Sequence, residues 1–149
     1  MFSVLVCRAC CCGRPSKHPG IDHDAQVDAI RHAVASTNGA RCRIVDCLDV
    51  CSRSNVVVIR DRRPEASGLS ALWLGGVTTD NLTAELCMWL SAGAHRASLP
   101  ELLRTHIFDG PATRLAELDD DRYCADHQSA TTAPVPVLMS ARAGRIGFE

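Results

Sequence analysis

Apolar residues in this chain fall into short runs and helical stripes, separated by polar stretches that carry glycine and proline. The first run, FSVLV over Phe2–Val6, is rich in β-branched residues and predicts a buried strand. Residues 7–23 interrupt it with cysteines, Gly13, Pro15, Pro19 and Gly20, which predict a loop. From Asp24 the period becomes helical. Val27, Ile30 and Val34 recur on one face with Ala29 and Ala33 beside them, and Gly39 is placed to end the helix. CRIVD, Cys42–Asp46, predicts a second strand, and VVVIR, Val56–Arg60, is the clearest strand of the chain. RRPEASG reads as a turn, and ALWLGGV, Ala71–Val77, as a fourth strand. TTDNLTAELCMWL then opens with N-cap residue types and lines up Leu82, Leu86, Trp89 and Leu90 on one helical face.

The predicted order is β-α-β-β-β-α. A helix between the first two strands implies a right-handed parallel crossover, and the last two strands are close enough to form a hairpin. The expected class is α/β: a thioredoxin-like, mixed four-stranded sheet with two main helices, an order that other small folds share. This domain spans residues 1–94. Residues 95–118 read as a short helical extension. There Ser98 and Glu101 have the spacing of a capping box, Pro100 lies in the first turn, and PATRLAEL forms another short helix. Residues 119–149 are acidic, then rich in Ser, Thr, Ala and Pro, and are expected to form a loosely ordered tail.

With 149 residues, 46% of them hydrophobic, the chain can bury one core. Its formal charge of −1 provides no electrostatic case for nucleic acid or an anionic membrane. No apolar run is long enough for a membrane-spanning helix, and the N-terminus lacks the pattern of a secretory signal, so the expected location is cytoplasmic.

The cysteines change the picture most. There are nine, and four of them crowd into CRACCCG, Cys7–Gly13. An odd count argues against a complete disulfide framework, and clustered cysteines in a reducing compartment point to metal or redox chemistry. Cys42 and Cys87 fit the plainer role of small core hydrophobes. The clusters do not. Cys7 and Cys47 each stand at the end of a strand. If those strands are parallel neighbours, about 4.8 Å apart, both loops lie at the same end of the sheet. Three chemistries compete. A dithiol pair, Cys7-x-x-Cys10, would normally open a helix and would leave Cys47 and Cys51 unexplained. Structural zinc takes four thiolates, though zinc ribbons use paired C-x2-C knuckles. An iron–sulfur cluster also takes four thiolates.

Cys7, Cys12, Cys47 and Cys51 give the spacing C-x4-C-x34-C-x3-C. This resembles the thioredoxin-like 2Fe–2S ferredoxins and the related thioredoxin-like 2Fe–2S subunit of respiratory complex I, whose motif is C-x4-C, a comparable gap, then C-x3-C. CLDVC followed by VVVI resembles the family's second cluster loop and next strand, and LWLGGVT its last strand and the turn into the final helix. The resemblance covers residues 2 to about 92. It implies a 2Fe–2S cluster on Cys7, Cys12, Cys47 and Cys51, with Cys10 and Cys11 as alternatives to Cys12. It further implies a one-electron carrier rather than an enzyme, serving a redox partner protein such as a reductase or oxidoreductase. A homodimer is compatible with that role. In the free ferredoxins the first gap is usually longer, and here, after twelve intervening residues, the chain reaches Gly20 instead of a thiol.

Other residues carry weaker signals. His18 and His23 are potential ligands but read as surface loop residues. Arg8, Arg14 and Arg53 flank the clusters, where their charge can offset an anionic centre. Ser52, Ser54 and Asn55 either donate to cluster sulfurs or shape a turn. Tyr123, Cys124, Asp126 and His127 form a mixed group in the tail. Trp73 and Trp89 are expected in the core. No phosphate-binding glycine loop, Ser-His-Asp set or carboxylate pair stands out.

Overall fold

Phe2–Cys7 form β1, buried along its whole length. The all-apolar run dictates this, because a strand apolar at successive positions must be covered on both faces. The computed structural model describes residues 1–8, 11–63 and 71–117. After β1 come α1 (His23–Ala35), β2 (Arg41–Val45), β3 (Val57–Asp61), β4 (Ala71–Leu74) and α2 (Asp80–Ser91). Then follow α3 (Glu101–Arg104), β5 (Ile107–Phe108) and α4 (Ala112–Glu117). Met1–Arg114 make one compact unit; of the second, Leu115–Glu149, only the end of α4 is described.

The sheet order is β2-β1-β3-β4-β5. β1 and β2 are parallel, with Cys7 opposite Val45, and α1 joins them. β3 lies antiparallel on the other side of β1, and β4 and β5 continue antiparallel. The first four strands and two long helices have the thioredoxin-like arrangement. The expected sheet of four strands is corrected to five. Ile107–Phe108 pair with Leu74 and Trp73 along the edge of β4, which sequence leaves invisible because two residues carry no period.

Alternation along the strands sorts the core. Phe2, Val4, Val6, Val57, Ile59, Leu72 and Leu74 turn to the face that packs on Val27, Ile30 and Val34 of α1 and Leu82, Leu86, Trp89 and Leu90 of α2. Asp22 caps α1, its carboxylate accepting from the Asp24 and Ala25 amides, and Thr79 caps α2 through the Leu82 amide. Both tryptophans are buried as expected. Leu99 and Leu103, from the stretch beyond residue 94, join the same core cluster. The expected capping box is absent. Ser98 ends a turn of 3-10 helix and donates to the His95 carbonyl, and Pro100, which has no amide to be capped, stands at the start of α3. Gly110 follows β5 where a Cβ would lie 2.1 Å from the Trp73 ring, so only glycine lets the backbone pass over that indole.

Candidate metal centre

Topology builds this site. β2 and β3 flank β1, and β3 runs opposite to both of its predecessors. The β2–β3 connection must therefore cross the C-terminal end of β1. That connection holds Cys47 and Cys51, and β1 ends at Cys7. Main-chain bonds seal the crossing on both sides: the Cys7 amide donates to Val56 O at 3.1 Å and the Arg8 amide to Val45 O at 3.0 Å.

The sulfurs stand in two pairs. Cys47 Sγ and Cys51 Sγ are 3.5 Å apart, both half-buried. Cys7 and Cys12 are buried and share a hydrogen bond. That bond from Cys7 pulls the Cys12 thiol below its ordinary range; burial opposes it, the Val56 main chain assists, and the nearby sulfurs of Cys51 and Cys47 oppose it. Cys12 thus senses all three other cysteines. The Asp46 carbonyl, 3.2 Å from Cys7 Sγ, is a second acceptor for that one thiol proton. Among the described residues, no group of three or more His, Cys, Asp and Glu side chains is placed to hold a metal ion. Cys12 pairs with Cys7, and Cys47 with Cys51; Cys11 is half-buried close by in sequence. Cys10 lies outside the described residues, as do Tyr123, Cys124, Asp126 and His127. Cys42 and Cys87 stand apart as half-buried thiols packed against the core, and burial raises both above the usual thiol range.

Backbone geometry shapes both loops. Asp49 has φ of 59°, in the left-handed region that costs a non-glycine residue about 1–2 kcal/mol. This turn aims its amide at Cys47 Sγ, 3.3 Å away. Gly13, with φ of 75°, lies against the Arg8 guanidinium, where a Cβ would come within 2.7 Å of Nη1. Arg8 Nη2 pairs with Asp24 at 2.6 Å.

Solved structures with a similar chain path include two cysteine-to-serine variants of the thioredoxin-like 2Fe–2S ferredoxin from Aquifex aeolicus. One is 14% identical with a TM-score of 0.47, the other 15% with 0.46, each match covering 73% of this chain and 99% of that one. A third structure of a ferredoxin of that description from Aquifex aeolicus is 13% identical with a TM-score of 0.46, covering 74% and 92%. No family model matches the chain, and no curated protein does.

Asn55 has a different part from either one expected of it. It is buried and ties the two cysteine loops together instead of facing sulfur. Its Oδ1 accepts from the Gly13 amide at 2.9 Å, and its Nδ2 donates to His23 Nδ1 at 3.1 Å and Gln26 Oε1 at 3.2 Å. Gln26 Nε2 continues to Val77 O and Thr83 Oγ1, both at 2.9 Å. Gln26 and Thr83 escaped the sequence reading. Their one signal is a polar side chain on an otherwise apolar helical face. The surface placement of His23 is corrected: α1 starts one residue earlier than its apolar period, so His23 falls in the first turn and is buried against Asn55. His18 is half-buried, its Nε2 3.0 Å from Ser54 Oγ. Lys17 Nζ donates to the Cys51 carbonyl at 2.6 Å. Arg53 stacks its guanidinium on Phe108, 5.6 Å from the ring centroid, and Arg14 and Ser52 are exposed.

Proposed function

We propose that this chain is a one-electron carrier holding a 2Fe–2S cluster on Cys7, Cys12, Cys47 and Cys51. The observation that carries the reading is that four thiols from two loops stand as two pairs at one end of the sheet. Four cysteines complete such a cluster, two for each iron, whereas zinc asks four donors to surround one ion. The donor set fits: soft sulfurs, one of them, Cys12, shifted toward thiolate. When bound, the cluster supplies a centre that accepts and releases a single electron.

The chain's own residues would then set its environment. Cys7 and Cys12 are buried and keep water from one pair, while the half-buried Cys47 and Cys51 lie nearer the surface. The Asp49 amide at Cys47 Sγ stabilises negative charge on that sulfur. Arg8 follows Cys7 directly, and its Nη1 is buried without a hydrogen-bond partner among the described residues, so it places positive charge beside an anionic centre. Substrate chemistry would belong to a redox partner protein in the cytoplasm.

Anaerobic preparation or reconstitution with ferrous iron and sulfide tests this. The expected product is brown-red, holds two irons and two sulfides per chain, and shows a paramagnetic signal on one-electron reduction. A colourless chain with one zinc and no sulfide would replace this reading with a zinc-stabilised interaction domain. A dithiol oxidoreductase is the remaining reading. The sequence suggests Cys7 and Cys10 for it, and Cys10 lies outside the described residues; the 3.5 Å Cys47–Cys51 contact would offer another pair, but that leaves Cys7 and Cys12 without a task.

A further inference from the structure

The loop that carries Cys47 and Cys51 is gripped from far along the chain. Arg114, in α4, donates from Nε and Nη2 to the Cys47 carbonyl at 3.2 and 2.9 Å. The same guanidinium pairs with the Asp49 carboxylate, Nε to Oδ2, at 3.5 Å. One side chain thus holds two points of a five-residue loop, with Asp49 between the two cysteines. Asp49 is also in the left-handed conformation, and its amide lies 3.3 Å from Cys47 Sγ. An unsupported aspartate would spend much of its time outside that region.

We propose that Arg114 is a positioning residue for this centre: by holding the Cys47 carbonyl and the Asp49 carboxylate, it keeps the Asp49 amide aimed at the Cys47 sulfur. The inference rests on reading Cys47 as a cluster ligand. An N–H donor on a ligating sulfur stabilises the reduced, more negative state, so the grip keeps the reduction potential up. It also gives the stretch beyond residue 94 a part in the centre, although every ligand lies before it.

The test has one readout that needs no cluster. In the metal-free, reduced chain, hydrogen exchange of the peptide spanning residues 47–51 is compared for the parent, Arg114→Ala, Arg114→Lys and Asp49→Asn. Arg114→Ala should speed exchange of the Asp49 amide about tenfold, the scale of hydrogen bonds to a charged donor, with exchange in β1 and β3 unchanged. Arg114→Lys cannot span both acceptors with a planar fork and should recover only part of the protection. Asp49→Asn tolerates the left-handed backbone and loses only the charge pairing, so it decides the matter if Arg114→Ala unfolds the chain. In the cluster-bearing protein, Arg114→Ala should shift the midpoint potential negative, by about 59 mV if the one-electron equilibrium changes tenfold. Unchanged exchange at residues 47–51 in both Arg114→Ala and Asp49→Asn would overturn the positioning role. Faster exchange in a chain that never assembles a cluster would keep the grip and defeat the electron-carrier reading instead.

Discussion

Cys51 and Cys87 are both half-buried thiols, and their neighbours separate them. Cys51 has Cys47 Sγ at 3.5 Å, whereas Cys87 packs against the core. Replacing Cys47 or Cys51 with serine should strip or distort the visible chromophore, and Cys87→Ser should leave it unchanged. Absorption spectra of the three variants check this, and full cluster occupancy in Cys51→Ser would sink the assignment. Cys12 pairs with Cys7 and lies within electrostatic reach of Cys47 and Cys51, so Cys12→Ala should disturb the spectrum more than Cys10→Ala; the reverse order would show a different register. Asn55 is a second residue with a measurable role. Truncating it orphans Gly13 N, His23 Nδ1 and Gln26 Oε1. Each buried group left unmade costs about 1–3 kcal/mol. Asn55→Ala should therefore lower the urea midpoint with little change in slope, and a midpoint equal to the parent's would remove Asn55 from the support of the site.

Among the elements, α3 shows how a four-residue helix earns its place. It exposes Leu102 and buries Leu103 completely, on a core that also holds Leu99. Leu103→Ala should cost about 2–5 kcal/mol, the range for emptying a packed leucine site. Leu102→Ala should change stability by less than about 0.5 kcal/mol. Denaturant unfolding of the two variants side by side makes the comparison, and equal effects would mean that α3 does not dock as described. Residues 119–149 carry few apolar anchors in their sequence. A chain ending at residue 118 should keep both its thermal midpoint and its cluster content. Loss of the cluster from that truncated chain would place Cys124 or His127 in the site.

For the molecule as a whole, pH offers a test through His23. Burial first, and then the Arg8 charge with a smaller push from His18, holds its imidazole below the usual range; the Arg14 and His18 main chains pull the other way. In the unfolded chain His23 takes up a proton near pH 6.5. Protons then bind the unfolded state more readily, so stability is full above pH 6.5 and declines as pH falls from there toward the depressed folded value. His23→Gln should flatten that decline between pH 7.5 and 5.5, measured as unfolding free energy against the parent. An identical slope in the two proteins would mean that His23 does not carry the dependence.

By itself the chain's pattern determined the first four strands, the two long helices, their order and the four thiols worth watching. These are local properties: a run such as VVVIR, a stripe such as Val27–Ile30–Val34, or a spacing such as C-x3-C is complete within a few residues. Tertiary structure decided what depends on partners distant in sequence. It recruited Ile107–Phe108 as a fifth strand through an open edge on β4, a contact no period announces. It buried His23 because Asn55, thirty-two residues away, offers it a hydrogen bond. It set Arg114 on Cys47, sixty-seven residues back. The two sulfur pairs stand at the same end of the sheet because β3 reverses beside β1 and carries its leading loop over the strand end. Sequence spacing could suggest that placement, but only the order of strands in space produces it.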